Sequence, residues 1–252
     1  MEVHSHTHTP SPPAGRAGKK WTHYFWEFLM LFLAVFCGFL AENQREHMIE
    51  HQREKKYIRS MIHDLGSDTV QLQSYIVLRT AKRKMLDSLT RLLITGQHKN
   101  YGNETYFFAR QIFNGEPFVS TDGTMQQLKN AGNLRLVQIG LVVDSILAYD
   151  AAVRSMNEWD ETDTRIRTSF REIGGTIFSS GNFYNSVDSN MRFIRPTNNP
   201  QLITDAPAAI NTVSFQVQYL STMTQGNILR AKSLKGRASR LMELLKLKYH
   251  IK

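Results

Sequence analysis

The chain has 252 residues, enough for one ordinary domain plus a tail and an anchor. Apolar residues make up 41%, which allows a packed core, and 31 Lys plus Arg against 22 Asp plus Glu leave a net charge of +9, an excess that favours anionic surfaces without naming one. The single cysteine, Cys37, excludes a disulfide framework within a monomer.

Residues 1–20 form a His/Pro-rich tail that cannot bury a core and is expected to be disordered. His4, His6 and His8 alternate within it. Such a tract can hold a divalent metal weakly, but its simpler reading is a polar tail with incidental histidines.

Residues 28–41 carry no charge. Fourteen residues make only about 21 Å of helix, short of a hydrocarbon core of roughly 30 Å, and they match the length of a signal-peptide core. Cleavage is disfavoured, because cutting after Ala41 or Gly38 puts Phe39 or Phe36 where a small residue is needed. Phe36 defeats a lipoprotein reading of Cys37 in the same way. Starting the helix at Trp21 gives about 31 Å and places Trp21, Tyr24 and Trp26 as the amphipathic rings expected at a membrane interface. Glu27 is the cost of that span. Near the helix end it can reach headgroups or a polar partner in the bilayer. Residues 21–41 are therefore expected to be an uncleaved transmembrane signal anchor. Arg16, Lys19 and Lys20 precede it, which puts the N-terminus in the cytoplasm and the large domain outside it.

Residues 42–56 have no helix breaker and should prolong the span into water. Within them His47, Glu50 and His51 match H-x-x-E-H, the arrangement that resembles inverted zinc peptidases, where two His on one helix face bind zinc and the Glu is the base. The surroundings argue against it: the helix is highly charged, offers no apolar wall, and no third carboxylate ligand is evident. Ile58, Met61, Ile62 and Leu65 then fall at helical spacing, and Leu72, Ile76, Leu86 and Leu93 resume the stripe. Gly66 is a possible bend, so this is one helix or two nearly collinear ones, closed by Gly96.

Residues 97–118 read as a loop with one short helix near residues 106–113, and Tyr106, Phe107, Phe108 and Phe113 read as core rather than a binding site. Thr121 or Asp122 can cap a short helix that Gly132 closes. A long helix is expected over residues 134–159, continuing after a break at residues 161–163. Residues 179–204 are irregular, and long loops are often functional or mobile. Asp205 followed by Pro207 starts a last helix running toward His250, weakened at Gly226 and Gly236. No period-2 pattern persists. Residues 42–252 are thus expected to be an all-α domain, an antiparallel bundle of about four long helices continuing from the transmembrane helix.

Charge is segregated. Residues 144–172 hold seven acidic against four basic residues, and residues 230–252 hold eight basic residues, among them Arg230, Lys232, Lys235, Arg237 and Arg240, beside Glu243 alone. Two solvated helix faces explain this, as does a basic end that touches anionic lipid or an acidic partner. His63 beside Asp64 falls short of a triad because no nucleophile is placed with them. Arg79, Lys82, Arg83 and Lys84 form a basic cluster that lacks the stacking aromatics of a nucleic-acid site. No phosphate loop, dinucleotide fingerprint, C-x-x-C or nucleophile elbow is present, so neither a cofactor nor an enzyme activity is expected.

The stretch "KKWTHYFWEFLMLFLAVFCGFLAENQREH" with "EHQREKKYIRSMIHDLGSDT", together with "TMQQLKNAGNLRLV", resembles a family of uncharacterised bacterial single-pass membrane proteins with an N-terminal span and an all-helical C-terminal domain. The resemblance covers about a third of the chain. It implies an anchored helical protein of the inner membrane and supplies no activity. The expected function is scaffolding or partner binding without catalysis, with the bilayer and either a membrane-protein partner or a second copy as contacts. An extracytoplasmic small-ligand sensor acting through a membrane partner is the alternative, and a zinc-dependent hydrolase using His47, Glu50 and His51 the remote one.

Overall fold

A computed structural model describes residues 21–251. The expected tail over residues 1–20 lies outside the described residues. The elements are all helical: α1 (Trp21–Ile94), α2 (Gly102–Gln111), α3 (Gly123–Asn130), α4 (Gly140–Gly174), α5 (Ser180–Tyr184) and α6 (Pro207–Tyr249), with short 3-10 turns at Gln97–Lys99 and Asn133–Leu136. No strand forms among the described residues beyond an isolated antiparallel bridge between Val187 and Phe193. The chain divides into two compact units, Met1–Gln52 and Arg53–Lys252.

In the first unit, α1 begins with a stretch long and apolar enough to cross a membrane, none of it buried by the rest of the chain. Phe28, Phe32 and Phe36 recur every fourth residue and stack along one face, with centroids 6.2 and 5.8 Å apart. Trp21, Tyr24 and Trp26 are all exposed at its start. His23 Nδ1 lies 3.3 Å from Glu27 Oε1, one turn on.

In the second unit, three long helices enclose the core: α1 from Arg53 onward, α4 and α6. Side-chain pairs fix their directions. Glu54 of α1 meets Tyr249 of α6, and further along Arg83 meets Gln225 and Asp87 meets Ser221, so α1 and α6 are antiparallel. Along the same helix Asp68 meets Tyr149, Tyr75 meets Asp160 and Arg79 meets Asp163, so α1 and α4 run parallel. The expected antiparallel bundle of about four long helices is therefore replaced by three, two of them parallel. A parallel pair needs a long crossover, and residues 95–139, carrying α2 and α3, supply it.

The apolar stripes land where helical spacing puts them. Ile58, Leu65 and Leu72 of α1 pack with Val142, Ile146 and Met156 of α4 and Ala231, Ala238 and Leu245 of α6. Each fully buried aliphatic side chain contributes about 1.5–3 kcal/mol. Beyond Leu86 a second cluster adds α2 as a fourth, short helix: Leu86, Leu89 and Leu93 with Tyr106, Phe170, Phe178 and Val217. Tyr106 meets Phe178 and Phe183 edge to face. Packing of this extent outweighs the roughly 1 kcal/mol cost of a mid-helix glycine. Accordingly α1 runs uninterrupted through Gly66, and α6 through Gly226 and Gly236.

Other boundaries differ for local reasons. Gly96 and Gly132 take the left-handed conformation, φ +71° and +64°. Gly96 closes α1 as expected. Gly132 is followed by a 3-10 turn and extended Val137, so α4 starts at Gly140 rather than residue 134. No break interrupts α4 at residues 161–163. The irregular segment before α6 is tied to α2: Asn199 Oδ1 accepts from Gly102 N at 2.6 Å, and Asn199 N donates to Asn103 Oδ1 at 2.8 Å. A Cβ on Gly102 would stand 2.2 Å from the Pro200 carbonyl oxygen, so only glycine fits.

Candidate functional site

Helical spacing places Glu54, Asp68, Tyr75, Arg79 and Lys82 on the inner side of α1, and all five are buried. The first two, with Asp160 of α4, share one arrangement. Each buried carboxylate accepts a tyrosine hydroxyl from another long helix and a backbone N–H from the crossover. Glu54 takes Tyr249 and Gln138 N. Asp68 takes Tyr149 and Thr121 N. Asp160 takes Tyr75 and Phe118 N. Asp64 adds a fourth tie, accepting Thr124 N in the first turn of α3 at 3.1 Å. α3 makes no side-chain cap of its own, so its start is capped from α1 instead. The tyrosines report the same environment. Burial, reinforced by the adjacent carboxylate, pushes the hydroxyls of Tyr75, Tyr149 and Tyr249 well above their ordinary range.

Around Asp160 the ties merge into a charged cluster. Arg79, 2% exposed, reaches Asp163 Oδ2 at 2.8 Å and Asp160 Oδ1 at 3.2 Å. Burial works against its charge, but the carboxylate of Asp163 and its neighbours more than offset this and hold Arg79 protonated. Arg167 Nε is 3.0 Å from Asp163 Oδ2, and Arg167 Nη1 donates to Gly115 O at 3.1 Å. Lys82 Nζ donates to Ile112 O at 2.8 Å and to Asn114 O. Its amine is pulled down to about 7 by burial first, then by Arg167 and Arg79, with Asp163 opposing.

Above Arg79 and Lys82 opens a groove of about 660 Å³. One wall is the outer stripe of α1, with Val70, Ser74, Leu78, Ala81 and Met85. The other is the crossover from Gln111 to Val119. Phe118 is buried and forms part of the floor, while Val70 and Leu78 are 68% and 70% exposed. Gly115 has φ +140°, and a Cβ there would stand 3.3 Å from Arg79 Nη1 and 3.5 Å from Lys82 Nζ.

The other sequence candidates lie elsewhere. His47 and His51 are exposed on α1 in the first unit and Glu50 is half-buried beside them. No group of three or more His, Cys, Asp and Glu is gathered to hold a metal among the described residues. The basic end of α6 is partly committed. Arg230 stacks on Trp159 at 3.4 Å, and Lys235 Nζ donates to Gln73 Oε1 at 2.7 Å. Arg230 and Arg237 flank a shallow cavity with Ala148, Ala152 and Ser155, and Lys232 and Arg240 are exposed. Of the cluster Arg79, Lys82, Arg83 and Lys84, Lys84 is exposed and Arg83 half-buried, while Arg79 and Lys82 are buried. Sequence reasoning missed Tyr75, Asp160 and Asp163, although the signal was present: acidic residues three apart on α4, and a tyrosine one turn before an arginine on α1.

Comparison with protein-family models, with curated proteins and with solved structures finds no match.

Proposed function

We propose that the chain is a single-pass membrane protein that displays its helical domain for scaffolding or partner binding rather than for catalysis. The observation that carries this reading is the opening of α1, an apolar stretch of membrane-spanning length that the rest of the chain leaves uncovered. Water solvates such a surface poorly, whereas a bilayer removes it from water at about 25 cal/mol per Å². Trp21, Tyr24 and Trp26 serve as interfacial anchors. Arg16, Lys19 and Lys20 stay in the cytoplasm, and the domain from Arg53 lies beyond the inner membrane. The non-catalytic part rests on the carboxylates: Glu54, Asp68 and Asp160 each hold a tyrosine and a backbone N–H, which commits them to structure.

A phosphatase reporter fused after Lys252 tests the topology: it is active if the domain is extracytoplasmic and silent if the orientation is reversed. Partner contact is tested by pulldown from detergent with wild type and Glu27→Leu. Loss of the recovered partner assigns the contact to Glu27, and equal recovery removes that assignment.

A further inference from the structure

We propose that the groove between α1 and residues 111–119 is a binding site for a small organic monoanion, a carboxylate on an apolar body. The carboxylate seats on Lys82 and the body lies along Val70, Leu78, Met85 and Val119. This goes beyond the anchored partner-binding reading and does not depend on it.

Three features of the groove support this. Its size suits a compact ligand, since sites for small molecules span about 300–1,000 Å³. Its walls are largely apolar, and Val70, Leu78 and Val119 remain exposed, so it offers hydrophobic surface that the fold itself does not use. Its lining carries two cations, Arg79 and Lys82, and one carboxylate, the exposed Glu116, while Asp160, Asp163 and Arg167 do not line it. Arg79 is already held by both aspartates. Lys82 is held by two carbonyls, Ile112 O and Asn114 O, and an ammonium has three donors. Arg79 and Lys82 line the groove with only 2% and 5% of their surface exposed, and Gly115 adds no side chain over Lys82 Nζ and Arg79 Nη1.

A single amine bonded to two carbonyls and to no carboxylate selects a monoanion over a phosphate dianion, and its place beside an apolar trough selects an amphipathic acid over a sugar. The amine sits near pH 7 because burial and its cationic neighbours disfavour its charge. A carboxylate supplies the missing counter-charge, so binding and protonation of Lys82 favour each other. The charged groups that act on Lys82 are Arg79 from α1 and Arg167 and Asp163 from α4, and exposed Glu116 of the crossover lines the same groove.

The test uses the full chain in nanodiscs of neutral lipid, with 4-phenylbutanoate as probe and uncharged 4-phenylbutanamide as comparator, by isothermal titration calorimetry. The acid is expected to bind about tenfold more tightly than the amide at pH 6. Its affinity falls about tenfold between pH 6 and pH 8, as Lys82 goes from mostly charged to mostly neutral, while the amide is unaffected. Lys82→Met is expected to bind both probes alike. Leu78→Asp, an exposed change on the groove wall, weakens the acid about fivefold or more and leaves helicity unchanged. Equal affinities in the wild type, no binding of either probe up to about 10 mM, or an acid preference that survives Lys82→Met overturns the proposal. Should Lys82→Met fail to fold, a pH-independent wild-type affinity or an unaffected Leu78→Asp does so.

Discussion

Replacing Arg79 with Met keeps most of the side-chain volume and removes one buried charge from between two others. At 2.8 and 3.2 Å, Asp163 and Asp160 each attract the guanidinium by about 5–6 kcal/mol at an effective dielectric constant near 20. Desolvation of all three groups cancels most of that attraction. The loss on removing one partner does not cancel, because buried Asp160 then keeps only the neutral donors Tyr75 and Phe118 N, and Asp163 keeps Arg167 alone. Breaking a buried pair in this way costs about 3–5 kcal/mol. For a domain of this size that lowers Tm by about 6–20 °C. The assay is urea or thermal unfolding of the full chain in nonionic detergent, followed by far-UV circular dichroism. A second variant sharpens it. Arg79→Met with Asp163→Leu leaves Asp160 still satisfied by Tyr75 and Phe118 N, so the double variant should lose at least about 1 kcal/mol less than the sum of the singles. A loss below about 1 kcal/mol for Arg79→Met, or strict additivity, would refute the buried cluster and with it the parallel register of α1 and α4.

Stability should rise with pH between about 7 and 9, because Lys82 stands near 7 in the fold against 10.5 in the free chain, so the unfolded chain binds the extra proton across that window. The slope is at most about 1.4 kcal/mol per pH unit, and urea midpoints of Lys82→Met should be flat over the same range. Tyr149→Phe removes one of two donors from buried Asp68 and should cost about 1–3 kcal/mol by the same assay. Gly66→Ala should stabilise by about 0.5–1 kcal/mol, since a Cβ there meets nothing within 4 Å in an uninterrupted helix.

Local features were legible in the chain. The stripe Ile58, Met61, Leu65 is buried, Gly96 turns left-handed at the end of α1, and Pro207 opens α6. Each follows from a few neighbouring residues and a known backbone preference. What was illegible depends on distant partners. Periodicity shows which face of a helix is apolar but not the direction of the helix it meets, so the parallel pairing of α1 with α4 could not be read. Residues 161–163 look like a helix break while Asp160 and Asp163 count as solvated charges, and become helix interior once Arg79 pairs with them. The groove was hidden likewise, because Arg79, Lys82, Arg83 and Lys84 read as one basic surface cluster until the crossover folds over two of them.

Alkaline carbonate extraction of membranes containing the full chain, beside a variant lacking residues 21–41, addresses membrane anchoring most directly. The account predicts that the full chain stays in the pellet and that the shortened chain is released. Release of the intact full chain into the supernatant would contradict it.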